Sequence, residues 1–203
     1  SSVSHSDTGG TAPQVHSGIP QAVIMLGILA YLYGVAEATF SNWCVIYLYD
    51  RTEIGIGAAG LVLSGFWAAV TLGRLAYTAA NHRVGELIAL VSPLIMALAF
   101  LLISLIDRSW VQVIGFIAAG AGCASVYPAL LVRATALRTS RRQFVSGLMV
   151  ATVLAGTGTG TYLTAAIMEY FNLGLDEIYR LAAIIPVIIF TAGFFPKPHP
   201  DLM

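Results

Sequence analysis

The sequence predicts an all-α, polytopic membrane protein, a bundle of six transmembrane helices, and three observations carry that expectation. Of its 203 residues, 58% are hydrophobic and only 10% charged, and the mean hydropathy is +0.82. Soluble domains carry about 25% charged residues, so a surface this poor in charge is suited to lipid rather than water. The apolar residues also fall in continuous runs of about 20 residues, the length that crosses a hydrocarbon core about 30 Å thick at about 1.5 Å per residue. Finally, short polar breaks separate the runs. Strands of a membrane barrel would instead alternate in polarity over about ten residues.

Six spans follow in order: A from about Gln21 to Tyr49, B from Gly57 to Ala79, C from Glu86 to Ile106, D from Trp110 to Val132, E from Gln143 to Met168 and F from Ile178 to Phe195. The breaks are Asp50-Arg51-Thr52, Asn81-His82-Arg83, Asp107-Arg108-Ser109, Thr139-Ser140-Arg141-Arg142 and Asn172-Leu173-Gly174, and Pro196 and Pro198 end span F. Pro93, Pro128 and Pro186 lie inside apolar runs, where neighbouring helices re-satisfy a freed carbonyl, so they predict kinks rather than ends. The chain thus divides into a flexible polar cytoplasmic segment over 1–19, a six-helix transmembrane bundle over 20–196 and a cytoplasmic tail over 197–203. The first segment is rich in Ser, Gly and Thr and lacks the basic start and short apolar core of a signal peptide. With no initiator Met, it reads as a processed product or a fragment of a longer chain.

Orientation follows from the basic residues. The A–B, C–D and E–F connections hold Arg51, Arg108 and Arg180, while the opposite side holds Arg74, Arg83, Arg133, Arg138, Arg141, Arg142 and Lys197. Lys and Arg accumulate on the cytoplasmic side of short loops, so both termini are expected in the cytoplasm.

Glu37 is the sharpest functional signal, an acid midway along span A. Burying an unpaired carboxylate costs several kcal/mol, so it stays protonated, finds a partner or faces a watery cavity. Tyr33, Glu37, Ser41 and Cys44 recur at helical spacing as one polar stripe, suited to a cavity wall. The functional reading is a proton-carrying or solute-binding carboxyl; the plain one is an acid hydrogen-bonded between helices. On span B, Ser64, Trp67, Thr71, Arg74 and Thr78 form a polar and aromatic stripe, which either lines a pathway or pairs with neighbouring helices. Gly65, Ala69 and Gly73 form a small-residue seam for close helix packing. Span E carries Gly156-Thr157-Gly158-Thr159-Gly160 without the Lys-Ser or Lys-Thr of a phosphate-binding loop, so Gly156 and Gly160 predict helix packing or a flexible gating helix.

Other chemistries are disfavoured. His5, His16, His82 and His199 all lie in the tails or a loop, which leaves no histidine within a span to activate a serine or hold a metal. Cys44 and Cys123 sit in apolar runs as packing residues. No catalytic residue, cofactor, metal site or nucleic-acid partner is expected, and the chain is not read as an enzyme.

The segments YGVAEATFSNW in span A, FWAAVTLGRL in span B, the loop NHRVG, GAGCASVYPALL in span D, and SGLM through GTGTG in span E together resemble the C-terminal half of a major facilitator superfamily transporter, nearest to its fucose-permease-like branch of sugar–proton symporters. The likeness covers nearly all of Pro20 to Phe195. It implies two six-helix bundles around a central cavity that alternate between inward- and outward-facing forms. The N-terminal companion bundle, or a second copy of this one, would be the missing partner. Gly73-Arg74-Leu75 followed by His82-Arg83-Val84-Gly85 resembles the family's cytoplasmic loop motif, although its usual Asp is absent here. The resemblance places Glu37 and Asn42 near the solute path, with Tyr33, Ser41, Trp67 and Thr71 as weaker lining candidates, and assigns Arg74 and Arg83 to a cytoplasmic gate. The expected function is half of a secondary active transporter moving a small polar solute, with a sugar among the possibilities, coupled to protons. The alternative is a truncated, non-transporting scaffold that pairs with a full-length relative.

Overall fold

The computed structural model describes residues 21–137 and 141–193, and every element among them is a helix. Five long helices come first: α1 Gln21–Arg51, α2 Ile56–Ala79, α3 His82–Leu105, α4 Ser109–Ala136 and α5 Arg142–Phe171. Each is long and apolar enough to cross a membrane. Two short helices, α6 Leu175–Ala182 and α7 Ile184–Gly193, follow end to end as the sixth span. At 8 and 10 residues they add up to about 27 Å, close to the hydrocarbon thickness. The segment 1–19, the tail 197–203, the Arg138–Ser140 part of the basic loop and the far end of span F lie outside the described residues.

The helices reach past the apolar runs at several ends. Asp50 and Arg51 continue α1, and His82 and Arg83 belong to the first turn of α3. The apolar run measures only the stretch inside hydrocarbon, whereas a helix continues until its orphan terminal groups find a cap. For α3 that cap is Asn81, whose side chain accepts from the Val84 N–H at 3.0 Å. At the end of α5, Asn172 adopts the left-handed conformation with φ 52°, and the Leu173 N–H returns to the Met168 carbonyl at 3.0 Å. The sixth span opens with the Gly174 N–H donating to Glu177 Oε2.

The three internal prolines behave differently. α3 and α4 run without interruption through Pro93 and Pro128. Pro186 instead sits just after the break at Ala183 that divides α6 from α7. A proline removes the hydrogen bond to the residue four before it, here Ala182, and its ring crowds that carbonyl.

Packing follows through-neighbours rather than chain order. α1 lies on α5, α2 on α4, and α3 on both α4 and the sixth span. α1 and α5 run parallel. Gly27 meets Thr152, Gly156 meets Tyr31, Gly160 meets Val35, and Thr39 meets Thr164, each pair 125 positions apart like the last. α2 and α4 are also parallel, with Gly65 on Ile117, Gly120 on Phe66 and Gly73 on Ala124. α3 and α4 are antiparallel, with Gly115 on Ile103, Gly122 on Met96 and Ser92 hydrogen-bonded to Ser125 at 2.7 Å. Alternating spans produce this set of directions.

α1 is the central helix, buried on all sides from Tyr33 to Ser41. One half of the core is aromatic. Phe40 stacks on Phe100 with centroids 3.7 Å apart and lies near Phe66, Phe116 and Tyr179, tying α1 to α2, α3, α4 and α6. Favourable aromatic pairs add about 0.5–1.5 kcal/mol each beyond their buried area. The outer surface carries Leu61, Leu72, Leu87, Leu98, Leu105, Ile114 and Leu154, all exposed, the apolar coat that a bilayer covers.

Candidate functional site

Glu37 stands at the middle of α1, and its carboxyl points inward, with 10% of the side chain accessible. Tyr33, one turn earlier, donates its hydroxyl to Glu37 Oε1 at 2.6 Å. The same oxygen faces Arg74 Nη2 of α2 at 3.6 Å. That separation is an ion pair without a hydrogen bond. Arg74 keeps 43% of its side chain exposed, so the cluster reaches the edge of the bundle.

Tyr33 has two acceptors. Its hydroxyl is also 3.0 Å from the Cys123 carbonyl of α4, yet it carries a single proton. With Glu37 ionised, that proton goes to the carboxylate. With Glu37 protonated, the acid donates to the Tyr33 oxygen and Tyr33 donates to Cys123. Tyr127 completes the wall, its ring stacked on Tyr33 at 6.4 Å and its hydroxyl within the electrostatic reach of Arg74. The Tyr127 hydroxyl and Arg74 Nε are buried and have no hydrogen-bond partner among the described residues.

The residues picked out from the sequence separate into groups. Tyr33 and Glu37 come together with Arg74. Ser41 lies one turn further on the same face, where it is buried and its hydroxyl donates to the Glu37 carbonyl at 2.9 Å. Asn42 turns the other way, with its amide donating to Thr161 of α5. Beside that contact, Tyr31 pairs with Thr159 at 2.8 Å. Trp67 and Thr71 lie on the exposed face of α2 that also carries Arg74, and Thr71 returns its hydroxyl to the Trp67 carbonyl at 2.9 Å. Arg74, grouped with Arg83 in the sequence motif, is held to Glu37, whereas Arg83 is exposed in the first turn of α3. Cys44 and Cys123 are buried and unbridged on separate helices.

The glycines lie at crossings. A Cβ at Gly156 would overlap the Tyr31 carbonyl, one at Gly160 would come within 2.8 Å of the Val35 Cα, and one at Gly73 within 2.5 Å of the Ala124 Cβ. Gly65 is looser, 3.3 Å from Ile117. Gly158, between the two packed glycines of α5, faces open space.

A second polar cluster, near the other end of the bundle, escaped the sequence reading. The Tyr47 hydroxyl lies 2.7 Å from both the Ile103 carbonyl and Asp176 Oδ1, and Gln112 Nε2 donates to it at 3.4 Å. Arg51 pairs with Asp176 Oδ2. This group joins α1, α3, α4 and α6. The one available sequence signal was Gln112, an amide inside an apolar run.

Comparison with known proteins adds the relatives. No family model and no solved structure matches the chain. It is 26% identical over 195 residues to the fosmidomycin resistance protein of Escherichia coli, covering 93% of this chain and 46% of that one. It is 31% identical over 115 residues to an uncharacterized transporter of Sinorhizobium fredii, covering 56% of this chain and 30% of that one. It is 28% identical over 113 residues to an uncharacterized transporter of Yersinia pestis of the major facilitator superfamily type, covering 55% and 29%. The chain spans less than half the length of each of these curated relatives. Two are named transporters, one a resistance protein, and none an enzyme. Together with five apolar spanning helices, these likenesses make the chain a multi-pass membrane protein similar to transporters, one of which is named as of the major facilitator superfamily type.

Proposed function

We propose that this chain is one half of a secondary active transporter that moves a small polar solute by alternating access, driven by protons through Glu37. The observation that carries the proposal is the Glu37–Arg74 pair, midway along α1, with Arg74 nearly half exposed at the bundle edge. A guanidinium facing lipid at this depth costs several kcal/mol, so that edge is suited to a wet passage or a companion bundle. Glu37 has the partners of a proton carrier: Tyr33 and Cys123 to satisfy its acid form, and Arg74 to hold its anion. A companion six-helix bundle, or a second copy, would supply the opposite wall, with Trp67 and Thr71 at the facing edge. The fucose-permease-like resemblance favours a sugar, and the name of one relative adds a drug-like solute to the candidates.

The test is Glu37→Gln in the complete transporter. Proton-driven uptake is abolished, a loss of about 100-fold or more, while the protein inserts normally. Wild-type accumulation by this variant removes Glu37 from the mechanism.

A second reading, a non-transporting partner of a full-length relative, draws on one observation. The match covers less than half of each relative, yet the helices already enclose α1 within a shared hydrophobic core. Such a bundle stands as a packing unit without needing a pathway.

A further inference from the structure

We infer that the cluster of Arg74 and Tyr127 is an anion site, and that a solute anion and the Glu37 carboxylate compete for the Arg74 guanidinium. The inference rests on the transport reading and narrows its solute to one bearing a carboxylate or similar oxyanion.

Three features lead there. First, the cluster holds two buried groups with a hydrogen to donate and no partner among the described residues, Arg74 Nε and the Tyr127 hydroxyl. A guanidinium N–H and a phenol O–H within its electrostatic reach favour acceptor oxygens, and negative ones most strongly. Second, the hold of Glu37 on Arg74 is loose, at 3.6 Å, while Tyr33 holds the same carboxylate oxygen at 2.6 Å. Third, the acid form of Glu37 does not need Arg74. It donates to the Tyr33 oxygen, Tyr33 donates its hydroxyl to the Cys123 carbonyl 3.0 Å away, and both protons have an acceptor.

Charge then decides the ligand. With Glu37 ionised, the pair is neutral. When a proton from water adds to Glu37, Arg74 is left as an uncompensated cation inside the membrane, a state that costs several kcal/mol. An anion on Arg74 and Tyr127 restores neutrality, whereas an uncharged sugar does not. Proton and anion therefore bind together, each raising the affinity for the other by the same factor. The ionisable groups facing Glu37 are Tyr33 on its own helix, Arg74 from α2 and Cys123 from α4. α7 carries no ionisable side chain, and along the adjoining stretch of α5 the single such residue, Tyr162, is exposed.

The experiment measures equilibrium binding and proton uptake on the purified full chain in nanodiscs near neutral pH, with benzoate and methanesulfonate, both ionised at that pH, as probes and methyl glucoside as the uncharged control. Wild type binds an anion and takes up one proton per anion bound. Glu37→Gln binds the anion about tenfold more tightly and takes up none. Tyr127→Phe weakens binding while the proton count stays at one. Arg74→Gln binds no anion. Anion binding without proton uptake, binding that survives Arg74→Gln, or binding of methyl glucoside alone overturns the inference. Preference between the two anions separates a planar carboxylate site from a tetrahedral oxyanion site. Solute flux in liposomes is scored separately, so proton-driven movement of an uncharged solute leaves the transport reading standing while this inference falls.

Discussion

Tyr33 and Tyr47 lie on the same face of α1 and solve the same problem at two levels. Each buries a phenol ring in the core and aims its hydroxyl at a backbone carbonyl and a carboxylate, Cys123 with Glu37 in one case and Ile103 with Asp176 in the other. Tyrosine suits this task because its hydroxyl lies at the end of a rigid apolar ring, which fixes one helix against another. Removing the Tyr47 hydroxyl leaves Asp176 with Arg51 alone and strands two nearby acceptors. Tyr47→Phe is therefore expected to destabilise the bundle by about 1–3 kcal/mol, measured as a lowered unfolding midpoint in detergent, without changing insertion. An unchanged midpoint would show that Arg51 and Gln112 suffice for Asp176 and the Ile103 carbonyl. At this scale the sequence exposed only half of each arrangement. Glu37 stands out as an acid in an apolar run and Arg74 as part of a polar stripe and a loop motif, whereas nothing in the sequence around Tyr127 marks it. Their meeting depends on how α2 and α4 pack on α1, which residue type alone does not encode.

At the element scale, the glycines of α5 have opposite fates four or fewer positions apart. Gly156 and Gly160 let the α1 backbone approach closely, while Gly158 faces open space. Gly156→Val should disrupt the α1–α5 contact and yield aggregated or protease-sensitive protein, seen in gel filtration and limited proteolysis. Gly158→Ala should instead leave the chain monodisperse and about 0.5–1 kcal/mol more stable, because alanine favours helix where no neighbour objects. Tolerance of both substitutions would mean that the two helices are not held at this distance. Five spans were legible in the sequence because hydropathy reports the membrane crossing directly. The sixth was legible as a span but not as two pieces: Pro186 resembles Pro93 and Pro128 in local context, yet only its helix breaks. The paired order of the helices was not legible either, since the α1–α5 register is set by shape at small residues rather than by a chemical motif.

On the scale of the whole molecule, the question is whether one bundle acts alone. Reconstituting the 203-residue chain in liposomes separates the readings. Half of a carrier gives no solute flux by itself and gains flux when co-expressed with a six-span companion. Flux from the chain alone identifies a carrier assembled from its own copies, and absence of flux in both settings sinks transport. The charge distribution bears on the same point. The Glu37–Arg74 pair opens toward one edge of the bundle, whereas Arg51 and Asp176 fasten α1 to the sixth span at the far end.

The contact between α1 and α5 has a mechanical consequence. Its teeth repeat every four residues with carbonyls and Cα atoms in the grooves, and backbone atoms have no rotamers with which to step aside. Gradual sliding is barred, and the smallest permitted slip is a jump of about one helical turn, roughly 5.4 Å. Such packing favours tilting of the two helices as a single lever, which would carry a displacement of α1 to Thr159 and Thr161 of α5.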